Sequence, residues 1–386
     1  MSLEHADRPK VATVAPAAAE AVRPVRPVRI GFVLLSRLDA AIPSTRVSVV
    51  NVLPFLREAG FETSIAFEPD APTERPDLSE CAERIRAAGF DIVYFQKVHG
   101  PSVLSLVAAL RSDGVRCVYG VCDHVNDSMV AACDATVVIT DYLKSLHATE
   151  LQSRIHVVHD GIERPEVFKV AYRADRGSWW RPLRAVLVTS TAPWHLPGLQ
   201  SLPAWLSVEV VGAFPPNSDW VARLKLRYWQ FRAHRTWRDR WNLLRWIANP
   251  RISCVRWDPD DVYRRMLAAD IGIIPVGTSV GTDPKAVWRL KSENRLTLMM
   301  SLGLPVVATP IPAYETVVEQ GRNGYLANDR REWLSALRWL RDPVARRDCG
   351  QRARDDVAHV FSTERQAALL AGILRSLVGG ADRDLG

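Results

Sequence analysis

Nine short apolar runs, most of them separated by a helical pattern, constrain this chain more than any other feature. RIGFVLL begins at Arg29, and DIVYFQ (91–96), RCVYGV (116–121), ATVVIT (135–140) and IHVVHD (155–160) follow it. The stretch GIERPEVFKVAYRADRGSWWRP (161–182) then has linker composition, after which RAVLVTS (184–190), VEVVGA (208–213), IGIIPV (271–276) and LPVVATP (304–310) repeat the grammar. Strands that alternate with helices build parallel sheets, because each parallel pair needs a crossover. The expected class is therefore α/β, with two Rossmann-like doubly wound domains facing a central cleft. Ligands in such sheets bind beyond the carboxyl ends of the strands. The expected bounds are a flexible arm at 1–27, an N-terminal acceptor domain at 28–175, a C-terminal donor domain at 176–360, and a crossover helix with its tail at 361–386.

Length and composition agree with this division. A chain of 386 residues has ample material for two cores. No apolar run approaches the roughly 18–20 residues that cross a bilayer. The six cysteines form no CxxC pair, which argues against a structural zinc or a disulfide framework and for reduced thiols in a cytoplasmic protein. The first 27 residues lack an apolar h-region, so no export signal is read there. Net charge is +7, and the stretch 216–250, with eight basic and two acidic residues, carries about +6 of it.

The segment 288–328 carries the most information. A helix is expected from Glu293 to Leu302, capped by Ser292 or Asn294 and stopped by Gly303. Lys285, Arg289, Lys291 and Arg295 gather at its first turn, where free amides and the helix dipole already favour an anion. The cluster reads either as a diphosphate site or as a solvated basic loop. A first helix is expected from Arg46 to Ala59, with Ser44 and Thr45 before it as N-caps.

GLPVVATPIPAYETVVEQGRNGYLA (303–327) resembles the C-terminal signature of family 4 glycosyltransferases of the GT-B fold. AADIGIIPV (268–276), CDATVVITDYL (133–143) and IHVVHDGIE (155–163) are similar to family segments in the same order, so the resemblance spans roughly residues 29–375. It implies transfer of a sugar from a nucleotide-diphosphate sugar to an acceptor hydroxyl, with retention of configuration and without a metal or a further cofactor. The family's paired glutamates fall at Leu290 and Leu298. Leucine cannot accept a ribose hydroxyl, so either Glu293 and Glu315 substitute or activity is reduced or lost. KSENR (291–295) resembles a family variant that places Lys291, Asn294 and Arg295 on the donor phosphates, with Glu293 beside them.

Elsewhere the resemblance carries over less directly. The loop TSTAPWHLPG (189–198) replaces the family's glycine-and-base phosphate loop and offers Ser190, Thr191 and His195. The first-domain strand ends FQKVHG (95–100) and GVCDHVND (120–127) bring Gln96, Lys97 and His99 to the acceptor side, with Asp123 and His124 as the catalytic pair. A histidine or a desolvated aspartate has the pKa range of a general base. Helix capping by Asp123 and a surface His124 remain the plainer alternative. Ser44, Thr45 and Arg46 open the first helix on the same side.

The basic stretch holds a second signal. Leu226, Trp229, Ala233, Trp237, Trp241, Leu244 and Ala248 recur at helical spacing with arginines on the flanks. Such a helix either packs on its own domain or lies in an anionic membrane, with Trp229, Trp237, Trp241 and Arg238 in contact. The second case suits a lipid-linked or polysaccharide acceptor and a peripheral position at the inner membrane face. Because the basic surplus is confined to one stretch and no nucleic-acid module is visible, no nucleic-acid partner is expected. The competing expectation is a non-catalytic GT-B protein that binds a nucleotide-sugar or a partner glycosyltransferase. Oligomeric state is not readable from these residues.

Overall fold

The apolar runs form the strands of two parallel sheets. The computed structural model describes residues 26–234, 236–277 and 284–379. Most of the expected arm, Arg235, the tail beyond 379 and the Lys285 side chain lie outside the described residues. The first sheet holds β1 (Val28–Val33), β2 (Phe61–Phe67), β3 (Ile92–Gln96), β4 (Arg116–Val121), β5 (Ala135–Val138) and β6 (Ile155–Val157), in the order β2-β1-β3-β4-β5-β6. The second holds β7 (Leu183–Val188), β8 (Leu206–Gly212), β9 (Ile252–Arg256), β10 (Ile271–Ile274), β11 (Val306–Ala308) and β12 (Gly324–Leu326), in the order β12-β11-β10-β7-β8-β9. Apolar clusters cover both faces of each sheet.

Three strands, β2, β9 and β12, are absent from the nine apolar runs, and all three are edge strands. A half-solvated edge strand can mix polar and apolar residues and so hide its run, as these three do; the fourth edge strand, β6, keeps its run and is legible. β9 (ISCVR) buries only Val255 fully.

Two expected helices are broken, each for a local reason. The stretch after β1 forms a turn of helix at Pro43–Thr45, a π-helical turn at Arg46–Val50 and a new helix at Leu53–Glu58. Pro54 has no N–H to offer Val50, so the hydrogen-bond ladder restarts around it. Ser44 and Thr45 are not caps: the helix starts at Pro43 without a side-chain cap, and the buried Thr45 hydroxyl bonds Ser36 Oγ at 2.8 Å and Gln96 Oε1 at 3.2 Å. The basic stretch forms two helices, Trp220–Ala233 and Trp237–Ile247. His234 turns extended between them, and the Thr236 side chain accepts from Asp239 N to cap the second. The expected single apolar face therefore does not exist. Gln230, Leu243 and Trp246 are buried, whereas Trp229, Trp237 and Trp241 face outward.

Polar staples bind the linker to the second domain. Lys169 Nζ donates to the carbonyls of Leu267 and Ala269 at 2.6 and 2.7 Å, and Tyr172 donates to Gly303 O at 2.8 Å. The buried Arg346 guanidinium reaches the carbonyls of Arg173 and Asp175 at 2.6 and 2.9 Å and that of Leu340 at 2.8 Å. The last helix, Thr363–Gly379, then crosses back to the first domain. There Ala367, Leu370, Ala371 and Leu374 join the core of Ile30, Phe32 and Tyr94. No helix among the described residues is long and apolar enough to cross a membrane.

The crossing point depends on Gly161. Ile162 N donates to Phe361 O at 2.8 Å, Thr363 Oγ1 donates to Ile162 O at 2.7 Å, and a Cβ on Gly161 would stand 2.7 Å from the Thr363 Cα. Gly161→Ala should cost about 1–3 kcal/mol. Gly372→Ala, where nothing lies within 4 Å of the added carbon, should be neutral or stabilise by up to about 1 kcal/mol. Thermal denaturation of the two variants checks the pair, and equal melting temperatures would remove Gly161 from this role.

Candidate functional site

The carboxyl ends of the two sheets face one another, and the loops that follow their strands meet across the gap. The loop after β4 delivers Asp123, the loop after β3 delivers Lys97, and the turn before the helix Asn294–Ser301 delivers Lys291 from the other domain. Asp123 Oδ1 accepts from Lys97 Nζ at 2.7 Å, and Oδ2 accepts from Lys291 Nζ at 2.6 Å. One carboxylate thus ties the domains together. Burial alone would raise its pKa, but His124, Lys291 and Lys97 pull it far below the usual carboxylate range. A carboxylate held this firmly ionised, with an ammonium on each oxygen, is a poor proton acceptor. In this arrangement the Asp123 carboxylate is an electrostatic and positioning group between the two lysines.

Lys97 is strained as well as paired. Among the described residues it is the one non-glycine with a positive φ, 62°, a backbone state that costs of order 1–3 kcal/mol and persists where surrounding contacts over-determine it. Its side chain is nearly buried and also bonds Glu74 Oε1 at 2.7 Å. Desolvation works against its charge, yet Cys122, Asp123 and Glu74 together raise its pKa. Glu74 Oε2 lies 4.0 Å from His99 Nε2. The His99 pKa is lowered by burial and by the neighbouring His124 ring, 5.1 Å away. His124 Nε2 shares a hydrogen bond of 2.8 Å with the Tyr119 hydroxyl. Glu74, Asp123 and His124 bring three ligand atoms within 4.8 Å of one another. Both Asp123 oxygens and one Glu74 oxygen already hold ammonium protons, so a cation there would have to displace two lysines.

A second bridge forms deeper in the cleft. His159 Nδ1 bonds Glu293 Oε1 at 2.7 Å, and the buried Glu293 Oε2 has no partner among the described residues. Desolvation opposes the charge of His159, but Glu293 outweighs it and raises its pKa. Asp160 is pushed up to about 7 by burial and by Glu293, against a bond from the Ser292 hydroxyl. Together with Gln96 and Lys97, His159 and Asp160 line a cavity of about 40 Å³ closed by Gln366 and Leu370 of the last helix. One Glu293 oxygen is thus committed to His159 and the other is unpartnered among the described residues.

Around these bridges lie the remaining expected residues. Arg295 sits at the start of the helix Asn294–Ser301, its guanidinium carbon 4.9 Å from the Trp288 ring centroid. Burial lowers its pKa, and no carboxylate pairs with it among the described residues. This helix has no side-chain cap; Leu296 N donates to Glu293 O at 2.8 Å, whereas Asn294 N, beside Arg295, makes only a long 3.4 Å contact with Ser292 Oγ. Ser190 and Thr191 are exposed at the end of β7. Leu290 packs against the first-domain core and Leu298 against the second, so the positions of the missing glutamates are filled by apolar contacts.

Four expected residues do other work. Gln96 Oε1 accepts from Leu35 N and from Thr45, and Ser44 is half-buried in the first turn. Arg46 bonds Glu163 Oε1 at 2.7 Å and its guanidinium carbon lies 5.8 Å from the Trp257 ring centroid. His195 is drawn away from the cleft: its ring stacks on Trp194 at 3.8 Å, and Trp194 stacks on His234 at 3.8 Å against the basic stretch. Trp229, Trp237, Trp241 and Arg238 lie on that stretch, outside the cleft. Sequence reasoning missed Glu74, His159 and Asp160. IHVVHDGIE held the last two in view, but nothing in it shows that they meet Glu293 and Ser292.

No family model and no curated protein matches the sequence. Solved structures do match. HepE of Anabaena in complex with UDP-glucose aligns at 14% identity and a TM-score of 0.62, covering 90% of this chain and 99% of that one. A glycosyltransferase from Rickettsia africae aligns at 13% and 0.65, covering 92% and 99%. Sucrose-phosphate synthase from Thermosynechococcus elongatus aligns at 14% and 0.63, covering 92% and 100%. The chain has the GT-B architecture of these glycosyltransferase structures, two facing Rossmann-like domains over nearly its whole length.

The Asp160 shift sets a pH dependence. Its folded pKa of about 7 lies above the ordinary 3.8, so the unfolded chain releases that proton first and stability falls as pH rises from about 4 to 7. His159, raised above 6.5, adds stability below that value that is lost as pH climbs through its folded pKa. Between pH 5 and 8, Asp160→Asn should flatten the wild-type decline in melting temperature by roughly 2 °C or more. Parallel curves from scanning calorimetry would overturn the assignment.

Proposed function

We propose that the protein transfers a sugar from a nucleotide-diphosphate sugar to an acceptor hydroxyl, as a retaining, metal-independent enzyme of the family 4 type. The observation that carries this reading is Arg295, a guanidinium without a carboxylate partner among the described residues, beside the uncapped start of the helix Asn294–Ser301. A helix start, its dipole and an unpaired cation suit a diphosphate. HepE, similar in fold, is described with UDP-glucose. In this reading Lys291 exchanges Asp123 for the donor phosphates. As the anomeric C–O bond to the diphosphate breaks and the acceptor oxygen bonds the same carbon, negative charge grows on the leaving diphosphate. Arg295, Lys291 and the helix start meet that charge, and the diphosphate takes up the acceptor's proton. Lys97, His99 and His124 line the acceptor side, and Asp123 holds Lys97 in place. The acceptor is lipid-linked or a polysaccharide, and the protein works at the cytoplasmic face of a membrane through the exposed tryptophans.

One observation favours a second reading. Leu290 and Leu298 place apolar packing where the family resemblance expects carboxylates, which suits a protein that binds a nucleotide-sugar or a partner glycosyltransferase without turnover. Detectable transfer eliminates it.

Calorimetry with UDP-, GDP-, TDP- and ADP-linked sugars checks the donor site. One base should bind, and Arg295→Ala should weaken that binding by about tenfold or more, the worth of a charge-assisted bond. Lys291→Ala has two opposed effects, since it removes both a phosphate contact and the competing bond to Asp123. No binding by any donor, or binding indifferent to Arg295, would sink the proposal.

A further inference from the structure

A second cavity lies outside the cleft, between the loop after β7 and the helix Trp237–Ile247. It measures about 520 Å³, far larger than the cavity beneath His159. Arg238, Asn242 and Arg245 of the helix line it, with Asn249 just past the helix end. At about 3.6 residues per turn, steps of four and three keep the three helical residues on one face. Neither Arg238 nor Arg245 pairs with a carboxylate among the described residues. The lining acid is Asp239, whose carboxylate is turned to the Thr236 hydroxyl at 2.7 Å. Trp194 and His195 form the opposite wall. Trp194 Nε1 and His195 Nδ1 are sealed from solvent and have no hydrogen-bond partner among the described residues. Buried indole N–H groups normally find an acceptor. The cavity therefore offers the positive charge of Arg238 and Arg245, which no carboxylate among the described residues takes up.

The adjacent strip of the same helix is apolar and uncovered. Trp237 and Trp241 are 77% and 63% exposed, and Leu244 lies beside them. Trp229, on the preceding helix, is 66% exposed. Tryptophan settles at headgroup depth in a bilayer, and arginine binds lipid phosphates there. An apolar ledge next to a cationic polar pocket matches an anionic phospholipid, with acyl and glycerol carbon against the ledge and phosphate within the pocket. Charge complementarity decides the occupant, since the stretch 216–250 holds most of the net positive charge of the chain.

We propose that the cavity walled by Trp194, His195, Arg238 and Arg245 is a second binding site, separate from the donor site, that takes the phosphate of an anionic lipid headgroup while Trp237 and Trp241 seat the protein on the bilayer. This deepens the membrane part of the proposed function and rests on it; the donor site is tested apart, by calorimetry.

Vesicle flotation of the full chain provides the test. Wild type should float with phosphatidylcholine vesicles that contain phosphatidylglycerol and not with phosphatidylcholine alone. Arg238→Gln with Arg245→Gln should reduce the floated fraction by about tenfold or more, at roughly 1 kcal/mol per basic residue near the surface. Trp237→Ser with Trp241→Ser should do so as well, and all these surface variants should keep wild-type melting and donor binding. If wild type stays in the soluble fraction, the membrane reading fails with the site. If it floats but the arginine pair makes no difference, only the pocket fails. If the pocket binds glycerol 3-phosphate in calorimetry while vesicles are ignored, it is a soluble-anion site and the lipid assignment is overturned.

Discussion

A single half-buried carboxylate organises the cleft. Asp123 stands between Lys97 from its own domain and Lys291 from the other, and each of its oxygens is taken. With Lys291 and Glu74 both more than a third exposed, solvent screens the cluster and its net contribution to stability is small. The cluster therefore acts as a positioning device. It fixes the loops after β3 and β4 against the start of the helix Asn294–Ser301, and it holds Lys97 in its strained backbone state. The His159–Glu293 bond repeats the arrangement one layer down.

Such bridges work only if the domains approach in one orientation, which the linker and the last helix secure. Lys169, Tyr172 and Arg346 bind the linker to the second domain through backbone carbonyls, whose positions are set by the fold rather than by side-chain rotamers. The last helix grows out of the second domain and buries its apolar face in the first. A glycine at residue 161 lets the two chain segments pass closely enough for this return. Two crossings, one at each end of the second domain, restrict relative motion more than a single tether does.

Legibility in the sequence followed solvation. Strands buried on both faces wrote continuous apolar runs, so β3, β4 and β10 were readable; β2, β9 and β12, at sheet edges, were not. The helix around residues 43–59 misread because its period survived while Pro54 broke the ladder. In the same way, the period of the tryptophan stripe ran through His234, although the helix did not. Asp123, Lys97, Lys291 and Arg295 could be singled out as residues at strand and helix ends. Their bonding could not, because it joins residues as distant as 123 and 291, and no local pattern encodes that approach.

The sequence by itself determined the two α/β halves, the linker between them and the end of each sheet at which chemistry collects, since hydrophobic period and strand–helix alternation are local properties. Only the tertiary structure decided how each charge is used. It gave Asp123 to two lysines, Glu293 to His159 and Arg46 to Glu163, and it left Arg295 without a carboxylate partner. It also turned His195 out of the cleft and left the tryptophans of residues 229–241 uncovered. Pairing and exposure depend on which surfaces the folded chain brings within a few ångströms, and that is a property of the packed whole.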